Sequence, residues 1–515
     1  MMEPEIAYTW QSLLPSAVAI GSAFATRQVF FSLFLGIWVG AFLLAGADVS
    51  AVGEGLLRVV DTWLLRAVAP ADGSTDHISV VLFTLIVGGM IGIISANGGM
   101  RGVVGWLTRF ASTPKRGQGA AFGMGFIVFF DDYANTLIVG KTLRPLTDRL
   151  GVSREKLAFL VDATAAPLAC IALVTTWIGF QLSLIDESLG DLPSVEMSAY
   201  ELFLESIAYS FYPIFMLLFI AIMIISGRDF GPMAIAEAAA RKQASSLNDP
   251  KLRSGATAPI NAALPILALI ITTLVSLYAL GEGDTVRQIL GSADPFKAML
   301  WGSLISLLVA SVISVLTKSL RINQLIVAME DGFKPMLTAV MILTFAWAIA
   351  DINSELGTAR YIVSQLGDSL NPAIIPSMVF LIAAVTAFAT GSSWGTMGIL
   401  VPLVLPLAVG TLEAEGLMDT EHAYVLYAAI ASIMAGAVWG DHCSPISDTT
   451  ILSSIASDCP HMNHVQTQMP YALFIAFVAL LLGVLPAGFG VSVFILYPLA
   501  IAAIALMLIK SGQKI

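Results

Sequence analysis

The chain has 515 residues, of which 57% are hydrophobic and 12% charged, with a mean hydropathy of +0.85. Soluble domains carry about 25% charged residues, so this chain has too few to build a water-facing skin. The net charge of −11, from 25 Lys and Arg against 36 Asp and Glu, has the wrong sign for a nucleic-acid partner. The three cysteines, Cys170, Cys443 and Cys459, are too few for a disulfide framework. What is left is an integral membrane protein, all-α and polytopic, forming one unit over residues 1–515.

In chain order, Met1–Trp10 carries Glu3 and Glu5 and no Lys or Arg. The positive region of a signal peptide is missing, so the first apolar stretch is expected to stay in the mature protein. Apolar runs predict spans near 11–26, 28–47, 78–97, 156–182, 201–226, 258–280, 297–317, 335–352, 423–457, 470–487 and 489–509. Two more stretches, 119–148 and 373–410, are interrupted at their middles by polar or glycine-rich residues. Each half of these is expected to be too short to cross about 30 Å of hydrocarbon.

Loop charge gives an orientation. Basic residues gather at Arg101, Arg109, Lys115 and Arg116, and at Lys141, Arg144, Arg149, Arg154 and Lys156. They recur at Arg228, Arg241, Lys242, Lys251 and Arg253, at Lys318, Arg321 and Lys334, and at Lys510 and Lys514. Loop 183–200 holds Asp186, Glu187, Asp191 and Glu196, and loop 411–422 holds Glu413, Glu415, Asp419 and Glu421, with no base in either. The positive-inside rule puts the basic sets in the cytoplasm, the N-terminus outside and the C-terminus inside. Stretch 119–148 then enters from the cytoplasm and returns to it, and 373–410 enters and returns from outside. Two opposed re-entrant hairpins follow; the alternative is two ordinary spans apiece joined by tight turns.

The halves also read alike. Residues 88–107 and 347–366 are similar, and each is followed by an interrupted hairpin and then a span with a polar break. The first break runs from Asp162 to Pro167, the second from Asp441 to Pro445. This predicts two inverted repeats, about 11–226 and 258–509, joined by a cytoplasmic linker at 227–257. Chance similarity between apolar segments is the alternative.

Charged groups at membrane depth cost about 2.5–3.5 kcal/mol each, so four polar clusters need a reason. At the first hairpin tip, Asp131 and Asp132 are adjacent carboxylates followed by Asn135 and Thr136. Their repulsion is relieved by a cation or a proton; one of them instead caps the returning half-helix. Asp162 and Thr164 precede Pro167, which frees a carbonyl; together they suit a hard cation or mark a simple kink. The second tip, Thr390 to Thr396, contains Gly391, Ser392 and Ser393 and no carboxylate. Its exposed N–H groups suit an anion, its hydroxyls a cation, and a tight turn is the plain alternative. The densest cluster holds Asp441, His442, Cys443, Ser444, Ser447, Asp448, Thr449 and Thr450 around Pro445. Both flanking arms are expected to be needed for one crossing, against a solvated loop between two short helices. Asp351 is expected at the outer interface. His461 and His464, beside Asp458 and Cys459, have a spacing that suits a metal, but an exposed cytoplasmic loop is preferred.

The run Gly440-Asp441-His442-Cys443-Ser444-Pro445-Ile446-Ser447-Asp448-Thr449-Thr450 resembles the signature of the NhaC family of sodium/proton antiporters. Gly391-Ser392-Ser393-Trp394-Gly395-Thr396 is similar to that family's second motif. Phe130-Asp131-Asp132-Tyr133-Ala134-Asn135, with Arg144-Pro145-Leu146-Thr147-Asp148, resembles a longer branch of it. The resemblance implies the ion-transporter superfamily architecture of inverted repeats, opposed hairpins and two broken helices.

The expected function is secondary active sodium/proton exchange, with sodium held by Asp131, Asp441 and Asp448. Asp132, Asn135, Thr136, Asp162, Thr164, Gly391, Ser392, Ser393, Thr396, His442, Ser444, Ser447 and Thr449 complete the binding set. Protons and sodium compete for the same carboxylates. No cofactor is expected; sodium enters as the transported or coupling ion. The expected partners are sodium, protons, the bilayer of the cell membrane and a second copy of the chain in a homodimer. The alternative is a sodium- or proton-coupled carrier of a small organic anion or amino acid, its carboxylate at the Gly391–Thr396 tip. A membrane enzyme built on His442 and Cys443 finds no nucleophile–base–orienter arrangement elsewhere, and two opposed hairpins would block a passive channel.

Overall fold

The computed structural model describes residues 9–515 apart from 27, 71–74, 109–110, 191, 245–257, 284, 286–288, 290–291, 359–360, 362–369 and 446. Glu3, Glu5, Arg109, Asp191, Lys251, Arg253, the linker beyond 244 and part of the 347–366 motif lie outside the described residues.

The chain is helical almost throughout. In order come α1 (Leu14–Thr26), α2 (Val29–Leu44), α3 (Asp76–Ala96), α4 (Gly99–Thr108), α5 (Pro114–Ile127) and α6 (Asp132–Leu150). They continue with α7 (Arg154–Ile171), α8 (Thr176–Gly190), α9 (Ala199–Ile207), α10 (Phe211–Ser226) and α11 (Gly231–Ala244). The second half holds α12 (Ile260–Leu280), α13 (Pro295–Leu316), α14 (Ile322–Glu355), α15 (Ile375–Thr390) and α16 (Ser393–Ala414). It ends with α17 (Tyr424–Cys443), α18 (Asp448–Ser457), α19 (His461–Ala479) and α20 (Val493–Ser511). Two short strands, β1 (Arg228–Asp229) and β2 (Gln513–Lys514), pair antiparallel and tie the end of the chain to the segment after α10.

Local chemistry sets the helix ends. Thr113 caps α5 by accepting from the Arg116 amide at 3.3 Å, with Pro114 in the first turn. Ser153 caps α7 by accepting from the Lys156 amide at 3.1 Å. Gly151 at φ 71° and Gly391 at φ 68° close α6 and α15 in the left-handed conformation that glycine adopts without strain.

Ten helices among the described residues are long and apolar enough to cross a membrane, or up to eleven if the bent pair α7–α8 counts as one span. The protein is a multi-pass membrane protein. Four expectations change. α1 and α2 have 13 and 16 residues, about 20 and 24 Å, short of a full crossing each. In the second hairpin, Pro372–Thr390 and Ser393–Ala414 have 19 and 22 residues, so each arm reaches a bilayer's thickness. The glycine break occupies only Gly391 and Ser392 and leaves both arms intact. In the first hairpin α5, with 14 residues, stays short. α17 alone spans 20 residues, about 30 Å. It runs on through Asp441, His442 and Cys443 and stops only before Pro445, so α18 is not needed to complete its length.

The fourth change concerns the first broken span. α7 continues unbroken through Asp162 and Pro167, and the break lies at residues 172–175, where α7 and α8 bend by 42°. A proline removes one helix hydrogen bond. Packing around fully buried α7 holds the rest of the helix, and Ala172, not Asp162, takes the extended conformation.

Contacts sort the helix ends onto two faces. Lys115 Nζ donates to the Ile225 carbonyl at 2.6 Å, and Arg154 pairs with Asp458 at 2.7 Å. Arg228 donates to the Gly512 carbonyl at 2.7 Å. The ends of α5, α7, α10, α18 and α20 therefore share a Lys/Arg-rich face. His77 lies 3.6 Å from Glu187, and the Tyr427 hydroxyl reaches Met197 Sδ at 3.4 Å. These place the starts of α3 and α17 with the acidic loops on the other face. The first hairpin is rooted in the Lys/Arg-rich face and the second opposes it.

Burial separates two groups of helices. α12, α13 and α20 leave most of their apolar surface exposed, including Leu267, Ile271, Val275, Leu308 and Val312, as lipid-facing helices do. α7, α16 and α17 are buried nearly throughout. α17 can lie close to α15 because Gly436 and Gly440 face it; a Cβ at either would collide with the carbonyl oxygens of Phe380 and Ala384.

Candidate ion-binding site

Both hairpin tips are stitched to a helix break. In the first half the Thr176 amide donates to the Phe130 carbonyl at 3.0 Å, and its hydroxyl donates to Asp131 Oδ2 at 3.0 Å. In the second half Ser444 donates to the Phe388 carbonyl at 2.8 Å, and Ser393 to the Ala437 carbonyl at 3.4 Å. At the first break backbone meets backbone across the seam; at the second, serine hydroxyls bond to helix carbonyls.

The two adjacent aspartates divide their work. Asp131 caps α6: Oδ1 accepts from the Ala134 amide at 2.7 Å, and Oδ2 is taken by Thr176. Asp132 is equally buried, and its Oδ1 has no hydrogen-bond partner. One turn on, the Asn135 amide nitrogen donates to the Gly125 and Thr164 carbonyls at 3.1 and 3.2 Å. That bond fixes the Asn135 side chain, and its Oδ1 is left without a donor, as is the buried Thr136 hydroxyl. The Thr164 hydroxyl bonds back to the Leu160 carbonyl at 2.7 Å, so only its backbone oxygen serves the cluster.

Asp162 is the centre of a second set. Its Oδ2 accepts from Gln468 Nε2 at 2.6 Å and Thr450 Oγ1 at 3.1 Å, and lies 3.2 Å from His464 Nε2. Its Oδ1 is buried and unpartnered. His442 is held between the Tyr212 hydroxyl, 3.0 Å from Nδ1, and the Asp162 carbonyl, 3.3 Å from Nε2. Gln468 also donates to the His442 carbonyl at 2.9 Å. One carboxylate thereby ties α7 to α18 and α19.

Asp441 is buried and accepts from Thr449 Oγ1 at 2.5 Å, while Ser447 caps α18 and lies 3.1 Å from that same hydroxyl. Asp448 stands at the first position of α18, exposed, beside the Tyr133 hydroxyl. Asp132 and Asp441 lie within electrostatic reach of each other. At the second tip Ser392 caps α16 through the Gly395 amide at 3.2 Å, and Thr396 bonds back to the Ser392 carbonyl at 2.9 Å. The hydroxyls of Ser392, Ser393, Thr396 and Ser444 therefore serve the backbone of α15–α17, while Asp132, Asn135, Thr136 and Asp162 present unpaired oxygens. Among the described residues no three His, Cys, Asp or Glu side chains gather closely enough to hold a metal ion alone.

Sequence reasoning placed His461 and His464 in an exposed loop. Instead α19 starts at His461, and His464 is fully buried against Asp162. His461 lies 2.7 Å from the Pro445 carbonyl and 3.1 Å from Ser454 Oγ. The spacing 461, 464, 468 is one helical face, a signal hidden because the apolar run begins only at Tyr471. Gln468, Tyr212, Thr176 and Tyr133 were also missed: Tyr212 and Thr176 sit in apolar segments, Gln468 just before one, and Tyr133 beside the two aspartates that drew the reading. Asp351 is half-buried near the end of α14.

A second buried charge cluster lies near the Lys/Arg-rich face. Lys156 is fully buried in an ion pair with Asp229, whose carboxylate also accepts from the Tyr471 hydroxyl at 2.7 Å. Glu237 of α11 accepts from the Ser153 amide at 2.6 Å and from Gln118 at 3.0 Å. Burial holds the Glu237 carboxyl above its ordinary range, against the pull of Lys156 and the Ser153 amide.

Helix breaks meeting hairpin tips around buried carboxylates, within a many-span bundle, define a secondary active transporter. The chain belongs to the Na+/H+ antiporter family: the family's model matches residues 168–486, more than half its length. It is 31% identical to an uncharacterized protein of Haemophilus influenzae over 93% of this chain and 91% of that one. It is 29% identical to the malate-2H(+)/Na(+)-lactate antiporter of Bacillus subtilis, over 28% of each chain. Its fold is similar to the YdaH transporter of Alcanivorax borkumensis, with a TM-score of 0.63 at 15% identity, covering 93% of this chain and 99% of that one. Secondary active Na+/H+ exchange is the activity that the family and its antiporter relatives support, a transporter's role rather than an enzyme's.

Proposed function

We propose that sodium binds between α6 and α7, held by Asp132, Asn135 and Asp162, and that protons displace it from those carboxylates. One observation carries this reading: Asp132 Oδ1, Asn135 Oδ1, Thr136 Oγ1 and Asp162 Oδ1 are buried oxygens without hydrogen-bond partners. A buried acceptor left unmade costs about 1–3 kcal/mol, and a hard cation is the ligand that oxygens of this kind take. Asp131 passes from ion ligand to structural cap, since both its oxygens are occupied. Asp441 and Asp448 add negative charge along the approach. A proton on Asp132 or Asp162 neutralises an oxygen the ion needs, so the two cargoes exclude each other and alternating access carries one or the other. The Lys/Arg-rich face is taken as cytoplasmic, in the cell membrane, with residues 11–226 and 258–509 as inverted repeats.

The test is sodium-driven proton flux in proteoliposomes, alone and with a panel of dicarboxylates, lactate and amino acids. Flux with sodium alone upholds the exchanger; flux that requires an organic solute overturns it. The Bacillus subtilis relative favours a second reading, coupled carriage of a small organic anion with its carboxylate near Ser393. Ser393→Ala then weakens the solute and leaves sodium affinity intact; equal effects on both sink that reading.

A further inference from the structure

We propose that the cavity between α3, α6 and α14 is the access chamber by which a hydrated cation reaches the carboxylates from the Lys/Arg-rich face. Tyr133 is the barrier at its inner end. The cavity measures about 410 Å³ and is lined by Asp131, the cap of α6, by Tyr133 and Leu137 of α6, Ser95 of α3, and Asp331 and Pro335 of α14, among others. At about 30 Å³ per water in the liquid, it holds a sodium ion with its full hydration shell and room to spare.

Its two ends differ. Ser95, Asp331 and Pro335 are exposed, whereas Asp131 is buried. α3 ends at Ala96, shortly before Arg101, and α14 starts at Ile322, just after Lys318 and Arg321. The mouth therefore belongs to the Lys/Arg-rich face. Pro335 has no N–H for the Asp331 carbonyl, so the wall presents a backbone oxygen beside the Asp331 carboxylate. That carboxylate pairs at 2.6 Å with Lys334, both groups exposed, a weak bond in water that a passing cation can share.

Tyr133 separates this chamber from the site. It lines the cavity, follows Asp132 in the chain, and sets its hydroxyl beside Asp448 on α18. Its half-buried side chain thus stands where the chamber ends and the buried carboxylates begin. The inference rests on the sodium reading of Asp132 and Asp162, and the experiment separates the two.

Full-length Leu137→Cys and Ser95→Cys are reconstituted and treated with a membrane-impermeant cationic methanethiosulfonate on each side in turn. Wild type, whose three cysteines are buried, is the control. Both variants are expected to label from one side only, the same side for both. Labelled Leu137→Cys is expected to lose at least five-fold in transport, and saturating sodium to slow its labelling. Reaction only with lipid-soluble reagents, or undiminished transport after full labelling, overturns the chamber. Tyr133→Ala is expected to let a sodium gradient run down without proton movement, while Tyr133→Phe holds it; a folded Tyr133→Ala protein that holds the gradient overturns the barrier. Should wild type show no sodium-coupled proton flux, the sodium reading falls, and one-sided labelling of Leu137→Cys still upholds a water-filled chamber.

Discussion

Replacing Asp162 separates its structural role from its ionic one. Three donors converge on Oδ2, from Gln468, Thr450 and His464, while Oδ1 has none. Asp162→Ala strands the His464 ring nitrogen, at about 1–3 kcal/mol, and leaves Gln468 and Thr450 only their carbonyl partners, His442 at 2.9 Å and Asp441 at 3.4 Å. A loss of about 1–3 kcal/mol is a large fraction of the whole stability of a typical domain, about 5–15 kcal/mol. Asp162→Asn behaves differently. Its amide oxygen turns toward the three donors, and its nitrogen takes the place of the unpartnered Oδ1. The fold is kept, because weaker hydrogen bonds to a neutral acceptor are offset by removing a buried charge. The proposed ion now meets an N–H donor in place of a carboxylate oxygen. Losing a charged partner costs about 1.5–3 kcal/mol, or about 10- to 150-fold in sodium affinity at 1.4 kcal/mol per tenfold. Thermal unfolding in detergent and sodium-dependent proton flux in proteoliposomes read the two effects. An Asp162→Asn protein with wild-type sodium affinity, or an Asp162→Ala protein as stable as wild type, would refute the reasoning.

Asp448→Ala is expected to leave the unfolding midpoint nearly unchanged, because the side chain is exposed, and to abolish sodium-dependent flux; a variant with full flux removes Asp448 from the ion's path. Lys156→Ala is expected to cost about 3–5 kcal/mol by leaving Asp229 buried and uncompensated, whereas the Lys156→Met, Asp229→Leu double variant recovers most of that loss; equal unfolding midpoints for the two proteins contradict it. Glu237 has its carboxyl raised above the ordinary value of 4.5 by burial, so the folded protein binds that proton more tightly than the unfolded chain. Its stability relative to Glu237→Gln should therefore rise as pH falls from the raised folded value toward 4.5. Unfolding midpoints measured from pH 5 to 8 check this, and a constant or reversed difference refutes it.

The architecture was written in the residues. Apolar runs long enough to cross a membrane mark most of the spans, because hydrocarbon forces each backbone group into a helix. Bases and acids alternate between loops, and the contacts of Lys115, Arg154 and Arg228 collect the basic ends on one face. The carboxylates of the site also stood out, since a charge at membrane depth needs a reason. Tertiary structure decided which of their oxygens are used. Asp131 and Asp132 are chemically identical neighbours, and only the position of Thr176, 45 residues away, makes one of them a cap. Asp162 and Pro167 looked like a break, yet packing keeps α7 continuous and the bend lies at residues 172–175. His464 and Gln468 read as the edge of a loop until α19 laid them against Asp162, about 300 residues earlier in the chain. Periodicity is local along the chain, and a hydrogen-bond partner this distant is chosen only when the helices pack.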